Sequence, residues 1–156
     1  MTVLHRLLLF VAWPLLYVYL KRDPHARTRI LVVSGNTVVG LKNWIGSGRW
    51  ALPGGGRRGE ESSRAGALRE LREETGIVAH EADLHFLVSG TVTTYGLAYR
   101  YECFVLQLID KLPLRRQWYE VARLQWLPLE TIQQHEAEPD TWLAVTTWRQ
   151  NQQRTV

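Results

Sequence analysis

The stretch from Gly54 to Gly76 constrains this chain more than any other part of it. Three consecutive glycines, Gly54 to Gly56, lead into Arg57 and Arg58, and from about Ser62 to Thr75 the pattern is helical. Ser62 or Ser63 can cap the helix start, and Gly76 supplies a left-handed stop. Glu70, Glu73 and Glu74 stand at i, i+3 and i+4. At about 100° per residue, such spacing sends all three carboxylates from one face. Ala65, Leu68 and Leu71 are expected on the opposite face, toward a core, with Arg69 and Arg72 projecting to the flanks. Like charges at these spacings repel by about 0.2–0.5 kcal/mol per pair, so a purely solvated face would better mix in lysines. A cluster of hard oxygen ligands is instead what a divalent cation such as magnesium needs, together with water and substrate phosphates. The glycines permit close backbone approach. Their carbonyls could add a ligand or their N–H groups could meet a phosphate, and Arg57 and Arg58 could neutralise phosphate charge.

The rest of the chain reads as strands around this helix. Arg29 to Val33 (RILVV) is a buried strand, and Gly35-Asn36 turns the chain into a second one, Thr37 to Leu41. Further strands are expected over Leu84 to Thr94, Leu97 to Ile109 and Glu120 to Trp126. In the second of these, Tyr99, Tyr101 and Cys103 share one face. Pro128 and Leu129 open a short helix, and a last helix starts at Pro139 or Asp140 and runs to about Gln150. Strands before and after a central helix, with helices at the end, point to a mixed α/β or α+β sandwich.

At 156 residues the chain has the size of one ordinary domain. The single cysteine, Cys103, excludes an intrachain disulfide and a cysteine-built metal centre, and points to a reducing, cytoplasmic setting. The formal charge of +4 suits a polyanionic partner such as a nucleotide or nucleic acid and serves solubility equally well, so no specific nucleic-acid partner is expected from it. One segment stands apart: Leu7 to Leu20, LLLFVAWPLLYVYL, is apolar and flanked by basic residues. As a helix it would span roughly 21 Å against about 30 Å of hydrocarbon, with Pro14 in its middle. No small-residue cleavage site follows it. It is read as an extra apolar N-terminal helix, residues 1–22, ahead of a main domain over 23–156. Three readings stay open for it: packing on the domain or on a partner subunit in a homodimer, lying on a membrane surface, or anchoring the chain in a membrane.

The segment Gly55 to Ile77, GGRRGEESSRAGALRELREETGI, resembles the Nudix box. That pattern is Gly, five residues, Glu, seven residues, Arg-Glu, an aliphatic residue, one residue, Glu-Glu, one residue, Gly and an aliphatic residue. Gly55, Glu61, Arg69, Glu70, Leu71, Glu73, Glu74, Gly76 and Ile77 fill every defined position. Trp50 to Gly54 is similar to the usual lead-in, and Glu120 with Gln125 to Leu129 to the family's late strand-to-helix passage. The resemblance covers about Arg27 to the C-terminus and leaves out Leu7 to Leu20.

The resemblance implies a mixed sheet between helices and Mg2+-dependent hydrolysis (Mn2+ could serve) of a phosphoanhydride bond in a nucleoside diphosphate linked to another moiety. The substrate would be a nucleoside triphosphate, a dinucleoside polyphosphate or a nucleotide sugar. By carry-over, Glu73 and Glu74 are the principal metal ligands, with Glu70 a third ligand or a water-activating group and the Gly55 carbonyl a backbone ligand. Arg69 would hold the glutamates by salt bridge, and Glu61 would brace the loop or bind metal through water. The general base varies in this family. Inside the box Glu70 or Glu74 could serve; outside it Glu102, Glu120, Glu136 and Glu138 are candidates.

Selectivity lies outside the box. Tyr95 stands eighteen residues past Ile77, where the family's dinucleoside polyphosphate hydrolases often carry a tyrosine. No proline stands about fifteen residues after the box, which counts against ADP-ribose, and the SQPWPFPxS motif of the NADH-cleaving branch is absent. Trp44, Tyr95, Tyr99 and Trp118 are the aromatic residues that could stack on a base. Two other roles compete with the enzyme: a nucleotide-binding module that keeps the fold without turnover, and a membrane-associated partner protein recruited through Leu7 to Leu20. Retention of Glu70, Glu73 and Glu74 argues against the first.

Overall fold

The computed structural model describes residues 27–94 and 96–154. Five strands, β1 (Arg27–Ser34), β2 (Thr37–Asn43), β3 (His85–Thr94), β4 (Leu97–Leu108) and β5 (Val121–Pro128), form one sheet in the order β3-β4-β1-β2-β5. The β1–β4 pair is parallel and the other pairs antiparallel, so the sheet is mixed. Among the described residues the α-helices are α1 (Ser63–Thr75) and α2 (Pro139–Arg154).

Strand alternation sorts the core into two layers. Ile30 and Val32 of β1, Val39 of β2, and Phe104 and Leu106 of β4 face α1, where they meet Ala67, Leu71 and Ile77. Leu31, Val33, Val38, Tyr101, Cys103 and Val105 face the other way, against Ala144, Val145 and Trp148 of α2. Both faces of the sheet are thereby covered, as expected for a sheet sandwiched between helices. Each fully buried aliphatic side chain contributes about 1.5–3 kcal/mol of transfer free energy.

The local signals act as read. Ser62 Oγ accepts from Ala65 N at the start of α1, and Gly76 ends it at φ 75° with its N–H on the Arg72 carbonyl. Pro128 and Leu129 open a single 3-10 turn, Leu129–Thr131, and α2 runs four residues past Gln150. One detail differs: α1 turns Gly66, Ala67 and Leu71 fully inward, while Ala65 is half-buried. The three glutamates do share a side, but that side faces a loop of the protein rather than water, and it buries Glu74.

That loop is positioned by a divergence in the sheet. β1 and β2 pair only at their turn, Val33 with Val38 and Ser34 with Thr37. Beyond it they separate, and residues 51–55 are wedged between them. Ala51 exchanges two hydrogen bonds with Leu41, at 2.8 and 2.9 Å, while Ile30 N donates to Pro53 O and Thr28 N to Gly55 O, each at 2.9 Å. The unpaired halves of both strands thus find their backbone partners in the loop. Among the described residues no helix is long and apolar enough to cross a membrane. The segment Leu7 to Leu20 lies outside the described residues, as does Tyr95.

Candidate active site

Gly54 is the tightest point of the loop. Its φ is 144°, and a Cβ there would lie 2.0 Å from the Thr28 carbonyl oxygen, so only glycine fits. Its N–H donates to Glu74 Oε2 at 2.8 Å, and its carbonyl accepts from Arg29 Nη1 at 2.5 Å. Gly55 is constrained by the helix: a Cβ there would come within 2.6 Å of the Glu70 carboxylate. The glycines therefore let the loop lie directly on the acidic side of α1.

Behind the loop sits a buried ion pair. Arg29, near the start of a strand that is otherwise largely apolar, donates from Nε to Asp140 Oδ2 at 2.7 Å, and the aspartate is 0% exposed. Tyr99 Oη donates to the same oxygen at 3.1 Å, and Thr141 N donates to Oδ1 at 2.7 Å. Burial disfavours the Asp140 charge, but the Arg29 guanidinium outweighs it and holds the carboxyl below its usual range. Thr141 Oγ1 accepts from Leu52 N, fixing the loop to the first turn of α2. Tyr99, one of the aromatic residues considered for stacking, is thus a core residue.

In front, Arg69 sits at the centre of the carboxylates rather than on a flank. It donates to both oxygens of Glu61 (2.9 and 3.0 Å), to Glu70 Oε1 (2.6 Å), to Glu73 Oε2 (3.4 Å) and to the Gly56 carbonyl (3.0 Å). Arg58 contacts Glu73 from the exposed side, and its backbone N–H donates to Glu61 Oε2 at 3.0 Å. Glu61 accordingly braces the loop, and its carboxyl is held below the ordinary range, chiefly by the Arg69 hydrogen bond. Arg57 lies against Gly66 of α1, where any larger residue would press on its side chain and on Glu61.

Glu74 is the exception in this cluster. It is 3% exposed, with one backbone N–H bond from the loop, and burial pushes its pKa up to about 8. Glu120, at the turn before β5, joins the cluster from the sheet side. Burial raises its pKa, and the charges of Glu70 and Glu73 raise it further. The other candidate bases are placed elsewhere. Glu102 lies in β4 beside Thr28 and Ser89, the Glu136 carbonyl receives Trp50 N, and Glu138 accepts a hydrogen bond from Ser47 Oγ. The nearness of Glu120 to this cluster was open in the sequence, because Glu70 and Glu73 are far from it in the chain. Arg29 and Asp140 gave no signal beyond an arginine near a strand end and an acid in a first helical turn.

Among the described residues no three acidic, histidine or cysteine side chains already converge as a metal cage. Arg69 and Arg58 draw Glu70 and Glu73 toward themselves. The site nonetheless fits a divalent cation. The donors are carboxylate oxygens, Glu74 is buried with less positive charge beside it than ionisation needs, and Gly55 leaves the Glu70 carboxylate open to the loop.

Comparison with known proteins agrees with this architecture. The family model of the NUDIX domain matches residues 18–146. The chain therefore belongs to the Nudix family and is built as a Nudix hydrolase. Among solved structures, a MutT NUDIX hydrolase from Burkholderia pseudomallei superposes with a TM-score of 0.70 at 19% identity, over 80% of this chain and 98% of that one. The NUDIX domain of Shewanella oneidensis NrtR, solved with ADP ribose, gives 0.70 at 18% identity, over 81% and 87%. A C. elegans Ap4A hydrolase in a binary complex gives 0.67 at 14% identity, over 80% and 95%. No curated protein matches the chain.

Proposed function

We propose that this protein hydrolyses a phosphoanhydride bond in a nucleoside diphosphate linked to another moiety, using Mg2+ or Mn2+ held by Glu70, Glu73 and Glu74 with help from the Gly55 carbonyl. The observation that carries the reading is the buried Glu74 carboxylate, hydrogen-bonded to the Gly54 N–H on the acidic side of α1. That position keeps a hard oxygen donor dry and fixed in place. A bound divalent cation would supply charge for the phosphates and acidify water. The protein's own residues do the rest. Gly54 and Gly55 bring the backbone against α1. Arg69 orients Glu61, Glu70 and Glu73, and Arg57 and Arg58 stand at the loop's outer edge with charge available to a phosphate. The Gly55 carbonyl already accepts from Thr28 N, which leaves it one lone pair.

For the general base we favour Glu120. It comes from another element, burial and the nearby charges of Glu70 and Glu73 raise its pKa, and that brings it closer to the pH at which a carboxylate can take a proton from water. The ligand of the Shewanella domain and the Ap4A hydrolase name both point to adenosine-containing diphosphate linkages as first members of a substrate panel. The panel should add nucleoside triphosphates, oxidised ones included, and sugar nucleotides. With Mg2+ the wild type should cleave at least one member, and Glu73→Gln and Glu74→Gln should abolish that cleavage. Glu120→Gln should lower kcat by about 10²–10⁴-fold. Full activity in the Glu73 and Glu74 variants would remove the metal assignment, and full activity in the Glu120 variant would remove the base.

A further inference from the structure

A second feature adjoins this site without belonging to it. Asn43, Trp44, Ile45, Tyr119 and Glu120 line a cleft of about 310 Å³ between the end of β2 and the turn before β5. That is the small end of the range for ligand pockets, about 300–1,000 Å³. Its apolar members face water: Trp44 is 61% exposed, Ile45 70%, Tyr119 64%, and the adjoining Trp118 75%. Scattered exposed apolar residues need no explanation, but four in one patch do.

These rings are fixed despite their exposure. Trp44 N donates to the Glu120 carbonyl and Trp44 Nε1 to the Trp118 carbonyl, each at 3.0 Å. The Trp118 and Tyr119 rings meet edge to face, 5.8 Å between centroids, and Gln117 Nε2 donates to the Tyr119 hydroxyl. With the indole N–H committed, what Trp44 can still offer a ligand is its π face. Asn43 contributes the polar element: its Oδ1 is buried and has no hydrogen-bond partner. A buried acceptor in that state favours a ligand or rearrangement that brings a donor.

We propose that this cleft seats the nucleobase of the substrate, with Trp44 and Tyr119 stacking on it and Asn43 accepting from a ring or exocyclic N–H. The inference rests on the hydrolase reading for its orientation. Glu120 lines the cleft and lies near enough to Glu70 and Glu73 for their charges to act on its carboxyl, so a base in the cleft leaves the phosphates of the same molecule on the side of α1. Stacking on an aromatic ring tolerates any base; the Asn43 acceptor favours bases that present an N–H. A phosphate alone would gain nothing from these rings, and a ribose offers them less flat surface than a base does.

The test compares AMP and GMP with ribose 5-phosphate, read by tryptophan fluorescence or calorimetry with chelator present, so that no turnover is needed. Wild type should bind a nucleoside monophosphate at least tenfold more tightly than ribose 5-phosphate. Trp44→Ala should weaken that binding by about 5- to 150-fold, the stacking range for one base, and Trp44→Phe should restore most of it. Circular dichroism would confirm that both variants fold. In turnover of the best substrate the loss in Trp44→Ala should fall on KM rather than kcat. Equal binding of AMP, GMP and ribose 5-phosphate to wild type overturns the proposal, as does unchanged affinity in folded Trp44→Ala. A dimer that Trp44→Ala converts to monomer with base affinity unchanged would show the patch to be a subunit contact and also overturns it. Base-selective binding without cleavage of any nucleotide would instead sink the hydrolase reading and leave the cleft standing.

Discussion

Two arginine–carboxylate networks grip the same glycine loop from opposite sides. Behind it, Arg29 reaches the Gly54 carbonyl and pairs with Asp140, both side chains nearly or wholly buried. In front, Arg69 reaches the Gly56 carbonyl and gathers Glu61, Glu70 and Glu73, all partly exposed. The rear pair joins residues 111 positions apart, and the front network lies within one loop and helix. Charges of the rear kind matter to the folded state itself, because losing one partner strands the other in a dry interior. Charges of the front kind keep some contact with water, so leaving one unpaired costs less, and their carboxylates can turn to a ligand. One network fixes where the loop is, and the other fixes what it presents.

The sharpest way to break this contrast is Asp140→Ala. It leaves Arg29 buried and unpaired, and it should cost about 3–5 kcal/mol of stability, read as a lower urea midpoint. A loss no greater than that of a surface pair would show that the two networks are not different in kind. Next comes Gly54→Ala. The backbone φ alone carries about 1–3 kcal/mol of strain for a non-glycine residue, and the Thr28 carbonyl blocks the new methyl. Thermal unfolding should show the destabilisation, and turnover should fall with it. A protein of unchanged stability and activity would mean the loop is less fixed than its geometry shows.

The acid limb of stability separates the networks by pH. Asp140 has a folded pKa below its unfolded value of about 3.9, because Arg29 prevails over burial. Its contribution is therefore complete above that unfolded value and is lost as pH falls through the folded one. Wild type should lose stability steeply below about pH 4, and Asp140→Asn should show a shallower acid limb. Parallel limbs would assign acid sensitivity to the front carboxylates. A smaller stability effect is expected from Arg69→Ala, because Glu61, Glu70 and Glu73 keep some contact with water where Asp140 has none, and it should shrink further in high salt. Its activity should fall far more than its stability, and a loss of stability matching Asp140→Ala would erase the distinction.

The same division governs what could be read from sequence. α1 was legible because its signals are local: Ser62 at the cap, Gly76 at the stop, and glutamates at helical spacing. The strands were legible from alternation, as with Tyr99, Tyr101 and Cys103. What was not legible depends on pairs far apart in the chain. Arg29 finds Asp140, Trp44 finds Trp118, and Glu120 finds Glu70 and Glu73 only once the sheet is assembled. Ala65 shows the limit of periodicity alone. A spacing argument chose it over Ala67 because it could not see that the buried side of α1 is tilted by contact with β1 and β4.

The parallel pairing of β1 with β4 bears on the order of events during synthesis. β1 leaves the ribosome early, yet its parallel partner is completed only at Leu108, and the counter-charge for Arg29 arrives only with Asp140. Until then a nascent chain holds an arginine in a segment otherwise rich in aliphatic residues, and that charge opposes premature burial. The non-local pairing also places this domain among slower folders. Asp140 and Thr141, which hold the glycine loop through Arg29 and Leu52, come late in the chain, so a chain truncated before α2 should lack a set loop even where its acidic helix has formed.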